Sequence, residues 1–201
     1  TLFPYTTLVR SGRLTLAPAL VRVADLADGL RSRWELRLGP ERPLTVELDV
    51  DGPRTDVPEL VGVRRPDLIL LNDDDLTYAK IRLDERSLVT VISGLDRLDD
   101  SLARALVWGA TWDMTRDAEM SATDFVALVL SNIGAETDAW GVSRIPMSAS
   151  AAVNYLCAPA HRAEVRATWE KGMFDLAQQA APGSDHQLTF VRQLAGVAHN
   201  D

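Results

Sequence analysis

Cysteine occurs once in these 201 residues, at Cys157, so no internal disulfide can form. That suits a reducing compartment, and a cytoplasmic location is the expectation drawn from it. Histidine occurs only at positions 161, 186 and 199, too scattered for a local ligand motif, and there is no H-E-x-x-H run. No apolar stretch approaches the roughly 18 residues that a membrane-spanning helix requires. Lysine is confined to Lys80 and Lys171, and the net charge is −8. An acidic balance of that size argues against a general nucleic-acid surface, which needs a basic face. Heptad runs and internal repeats are absent too. What remains is an ordinary globular composition, 46% hydrophobic and 25% charged, with enough length for one large or two small cores.

Two periods divide the chain. Up to Leu71 the apolar residues alternate, most plainly in Leu44-Thr45-Val46-Glu47-Leu48-Asp49-Val50, where four apolar side chains share one face and three polar ones the other. That pattern marks a strand packed on one side and wet on the other. Asp51-Gly52-Pro53, Pro58, Gly62 and Pro66 punctuate the region as turns do. Leu68–Leu71 is continuously apolar and reads as a buried strand, followed by a polar hinge at Asn72-Asp73-Asp74-Asp75. The fold class expected is α+β, a small β-sandwich over residues 13–76 followed by an antiparallel helical array over 77–201. Residues 1–12 begin without Met and share no pattern with the rest, so they read as non-native sequence.

After Asp84 the period is 3.6. Asp84 is placed to cap a helix carrying Leu88, Val91, Ile92 and Leu95. Asp99-Asp100-Ser101 opens a second, whose residues 102–112 are apolar all round apart from Arg104 and Thr111, a pattern that belongs in the middle of a bundle. Ser121 and Asp124 resemble a capping box ahead of Phe125, Leu128, Val129 and Ile133, with Gly134 as the stop. A helix is expected over about 148–157 with Pro159 ending it. Val165, Trp169, Met173, Leu176 and Ala180 form the next stripe, and Ser184 with Gln187 opens a last helix carrying Leu188, Val191 and Leu194.

Few side chains invite chemistry. Asp73, Asp74 and Asp75 offer hard oxygens for a cation, but three consecutive residues cannot all face one ion, and a hinge turn is the plainer reading. Ser184-Asp185-His186 contains the residue types of a hydrolase triad, yet sequence neighbours cannot converge as its relay must, and capping explains them better. Cys157 and His161 stand four apart with Pro159 between them to break a shared helix. Trp108 and Trp112, one turn apart, suit core packing better than a stacking platform. Arg116, in the turn Asp113-Met114-Thr115-Arg116-Asp117, could hold a carboxylate in a cleft, with an ion pair to Asp113 or Asp117 as its alternative. Composition and spacing identify no catalytic residue and no metal ligand.

Several stretches together resemble one family. They are PDLILLNDDDLTYAKIRL (66–83) with Asp84–Ser87, WGATWDMTRDAEM (108–120), PGSDHQL (182–188) with Phe190-Val191-Arg192, and ELDVDGPRTDVPELVGV (47–63). They are similar to the zinc-dependent M1 aminopeptidases of the aminopeptidase N type found in actinobacteria. The resemblance implies a fragment from the C-terminal, non-catalytic side of a larger enzyme: its small sandwich and the first part of its helical domain. The family's G-x-M-E-N and H-E-x-x-H motifs are not in this sequence, so the resemblance assigns no catalytic or metal-binding residue here. It implies zinc in the full-length enzyme and none in this part. It also implies peptide substrates, packing against the catalytic domain and further helices, and no nucleic acid or membrane span. Arg116 is the one substrate-binding candidate, a contact for peptide in the chamber that the helical domain encloses. The alternative from a different class is a stand-alone sandwich-and-helix module that binds a protein without catalysis.

Overall fold

The computed structural model describes residues 56–62, 65–73, 75 and 79–197, together with the backbone of four strands nearer the N-terminus. Most of the stretch 1–12 lies outside the described residues. The strands are β1 (Arg10–Leu16), β2 (Ala19–Asp25), β3 (Arg31–Arg37), β4 (Pro43–Asp49) and β5 (Leu68–Asp73). Strand β1 pairs antiparallel with β2, and a second antiparallel sheet has the order β4-β3-β5. How such sheets pack on each other lies outside the described residues, so the β-sandwich itself is not seen. The described residues are mostly helical, in α1 (Glu85–Ile92), α2 (Ser101–Arg116), α3 (Ala122–Asn132), α4 (Ala139–Ala151), α5 (Pro159–Gln179) and α6 (Asp185–Val197). Two compact units divide the chain, residues 1–91 and 92–201.

In the first unit β5 is the anchor. All six of its residues are buried, Asn72 and Asp73 included, as the unbroken apolar run ahead of them requires. Its pairing with β3 slips by one residue between Glu35↔Leu70 and Arg33↔Asp73. Asn72 sits inside that slip at φ +58°, a left-handed bulge position that asparagine tolerates well. The polar cluster 72–75 therefore begins inside the strand, and the turn proper follows at Asp75, also left-handed at φ +52°. Asp84 caps α1 as its position predicts: its carboxylate accepts from the amides of Arg86 (3.1 Å) and Ser87 (3.3 Å), and from the Ser87 hydroxyl at 2.5 Å. The same hydroxyl accepts the Ile69 amide at 2.8 Å, which ties the start of α1 to β5. That bond turns Ser87 inward beside Val91, while the expected stripe residue Leu88 is only half-buried.

In the second unit the caps fall where the sequence places them. Asp100 accepts the Leu102 amide at 2.8 Å and opens α2; Ser121 accepts the Asp124 amide at 3.0 Å and opens α3. Phe125, Leu128, Val129 and Ile133 are all buried, as their spacing demands. In α2 the expectation inverts. Arg104 and Thr111, read as interruptions of an apolar cylinder, are buried, whereas Leu102 is exposed.

Helix α4 departs further from expectation. It starts at Ala139, capped by the Asp138 carboxylate on the Gly141 amide at 2.7 Å. Gly141, Ser143, Pro146 and Ser148 hide it in the sequence, since each weakens a helical pattern. Pro146 lies inside the helix, and the end widens into a π-helical turn, Ala152–Leu156, closed by the Cys157 amide on the Ala152 carbonyl at 2.9 Å. Pro159 does not end that helix. It opens α5, where its missing N–H leaves nothing unsatisfied and its fixed φ suits a first turn.

Trp169, fully buried on α5, donates its indole N–H to the Ser150 hydroxyl at 3.2 Å, and that hydroxyl donates to Gln193 Oε1 at 2.8 Å. The start of α6 meets residue 136, ahead of α4, and Gln193 meets Ser150 near the end of α4. Helices α4 and α6 therefore run in the same sense. The short link 180–184 returns α6 against α5 in the opposite sense. On α6 the inward residue is Phe190, while the expected stripe residues Leu188 and Val191 are 49% and 47% exposed. Where α5 crosses α3, a Cβ on Gly172 would lie 2.7 Å from Leu130 Cδ1, so any other residue there requires the Leu130 side chain to move.

Two stability outcomes follow from this packing. Ala118, just past the end of α2, adopts φ +59°, the left-handed position that glycine usually fills after a helix. Ala118→Gly should raise stability by about 0.5–1 kcal/mol in a urea melt, because the Cβ strain relieved exceeds the entropy that glycine adds to the unfolded chain. Ser87→Ala strips the buried Ile69 amide of its acceptor and should cost about 1–3 kcal/mol in the same melt.

Candidate functional site

The densest polar cluster of the second unit grows from α2. Arg104 and Trp108 stand one turn apart on its buried face, and both point at Glu136 in the connection between α3 and α4. Arg104 donates through Nη2 to Glu136 Oε1 at 2.9 Å and through Nε to Oε2 at 3.2 Å, a forked geometry that a guanidinium and a carboxylate satisfy together. Its Nη1 donates to the carbonyls of Leu98 (2.7 Å) and Asp99 (3.1 Å), and Nη2 also reaches the Thr137 hydroxyl at 3.1 Å. The Trp108 indole N–H donates to Glu136 Oε2 at 2.9 Å, and the amides of Thr137 and Asp138 donate to Oε1 at 2.9 Å and 3.3 Å.

Burial by itself would push the Glu136 carboxyl up. The hydrogen bonds from Arg104, Trp108 and the two amides outweigh it and hold the pKa at about 2, well below the usual 4.5. The same hydrogen bond to Glu136 raises Arg104 against the opposing effect of its burial. Both partners are therefore charged. The ion pair is 9% and 3% exposed at its two side chains, and each donor nitrogen of Arg104 is engaged. So saturated a pair fastens the start of α2 to the α3–α4 connection. It offers no free group to a substrate.

The residues singled out from sequence fall elsewhere. Arg116 lies in the last turn of α2 with its side chain 48% exposed, 3.7 Å from Asp113 Oδ1. At that separation the ion pair with Asp113 is loose. Asp73 is buried in β5, Asp74 lies outside the described residues, and Asp75 is exposed and accepts from Asn72 Nδ2 at 3.1 Å. Ser184 accepts the Gln187 amide at 3.2 Å, and Gln187 reaches back to the Gly183 amide at 2.8 Å, so the capping assignment stands with its return bond displaced by one residue.

His186 goes to a different place, its Nε2 at 2.8 Å from the Glu136 carbonyl and its ring edge-on to Phe190. Cys157 is buried ahead of α5 and His161 is exposed on it, so the two do not share a face. Trp112 packs on Phe125 with ring centroids 5.4 Å apart. Among the described residues, no group of three His, Cys, Asp or Glu side chains is placed to hold a metal ion. No helix among them is long and apolar enough to cross a membrane.

Sequence reasoning does not single out Arg104 and Glu136, the residues that matter most to this cluster. The available signal was a lone arginine in an apolar helix with a tryptophan four residues later. Such a charge is either exposed by a break in the stripe or buried with a partner, and only the fold supplies the partner.

Two comparisons bear on the fold just described. The family model described as ERAP1-like C-terminal domain matches residues 68–200. Aminopeptidase N of Streptomyces lividans is 48% identical over 153 residues, covering 76% of this chain and 18% of that protein. The chain therefore spans less than a fifth of the length of that relative.

Glu136→Gln should destabilise the fold by about 3–5 kcal/mol at neutral pH, because Arg104 would be left buried without a counter-charge. The native pKa lies below the unfolded one, so the carboxylate stabilises the fold above about pH 4.5, and that contribution is lost as pH falls toward 2. Urea melts at pH 7, 4.5 and 3 should show stability declining over the acid range in the parent chain and a flatter profile in Glu136→Gln.

Proposed function

Because the chain belongs to the ERAP1-like C-terminal domain family, we propose that it is a portion of a zinc-dependent M1 aminopeptidase lying C-terminal to the catalytic domain. The observation that carries this reading is the 48% identity to an aminopeptidase N over 153 residues. The helical second unit supports it as well. In this reading residues 13–76 form the small β-sandwich, residues 77–201 form the first part of the helical domain, and residues 1–12 are non-native. The whole enzyme is cytoplasmic and removes N-terminal residues from peptides one at a time.

In this reading the zinc of the whole enzyme is held by another part of it, and no hydrolytic step is assigned to the residues described here. Their role is to build the wall. The ion pair of Arg104 and Glu136, the caps of Asp100 and Ser121, and the Trp169–Ser150–Gln193 chain stiffen a helical surface that roofs the chamber and limits what enters it. Arg116 is the contact assigned to peptide. Its guanidinium is exposed and only loosely held by Asp113, so a peptide carboxylate can compete for it.

The reading frame immediately upstream of Arg13 is expected to carry G-x-M-E-N and H-E-x-x-H with a downstream Glu. A start codon there with neither motif would leave the chain as a binding module without chemistry. In the full-length enzyme, Arg116→Ala should lower kcat/KM for oligopeptides about fivefold, equivalent to about 1 kcal/mol, while leaving a single-residue amide substrate unaffected. Equal rates for both substrates in both proteins would remove Arg116 from the substrate path. The isolated chain supplied with zinc should release no amino acid from either substrate, and measurable turnover would overturn the assignment of catalysis to another domain.

A further inference from the structure

We draw no further inference here: the strongest candidate, the exposed apolar residues Trp140 and Met147 on α4 with Leu188 and Val191 on α6, is an unpartnered surface, and nothing in the structure shows what covers it.

Discussion

The buried pair of Arg104 and Glu136 is the constraint around which the second unit is arranged. A guanidinium on the inner face of α2 can be kept from water only if something returns its charge and occupies all its donors. Glu136 returns the charge, and the carbonyls of Leu98 and Asp99 and the Thr137 hydroxyl take the remaining donors. Meeting those demands fixes three things at once: the approach of the chain into α2, the rotation of α2 about its axis, and the path between α3 and α4. Trp108 then fills the space beside the carboxylate and donates to it, and His186 brings the start of α6 to the Glu136 carbonyl. Replacing the pair by apolar residues of equal volume could leave the unit as stable, yet would remove what aligns these segments.

Smaller devices extend the same principle. Asn132 donates to the carbonyls of Ile92 and Leu128 and accepts the Asp96 amide, so one side chain closes the end of α3 onto the segment before α2. Trp169, Ser150 and Gln193 link α5, α4 and α6 in a row. In the first unit Ser87 does comparable work between α1 and β5, and Asp84 holds both the Ser87 hydroxyl and Arg65. Asn132, Ser87 and Asp84 are buried polar side chains that satisfy backbone groups or a charge that would otherwise be orphaned, and Ser150 gives the indole N–H of buried Trp169 its acceptor. Polar groups satisfied in this way suit a surface proposed to line a chamber and not to perform chemistry.

Helices α4 and α6 depart most from the sequence pattern, α4 through its local cost and α6 through its rotation. Helix α4 contains Pro146, begins among residues of weak helical propensity, and ends in a π-helical turn that leaves Tyr155 80% exposed. Propensity alone would dissolve it. Its capping by Asp138 and the burial of Val142, Ile145, Ala149, Ala152 and Val153 outweigh the local cost. For helix α6 the sequence pattern predicts the helix but not its rotation. Phe190 is the better apolar anchor, and turning it inward carries Leu188 and Val191 toward the outside.

What the sequence by itself determined is local and periodic. It located the buried strand at 68–71, the caps at Asp84, Asp100, Ser121 and Ser184, the buried stripe of α3 and the Val165, Trp169 and Met173 part of that of α5, because caps and stripes depend on neighbours within a few residues; Leu176 and Ala180 are only half-buried. The stretches at 66–83, 108–120 and 182–188 also carried the family, since similarity is a property of order and spacing. The tertiary structure decided which polar residues were inside. Arg104 and Glu136 stand 32 positions apart, and nothing in either neighbourhood announces the other. A buried charge is stable only through a partner brought to it by folding, so its place is legible only once the helices are packed.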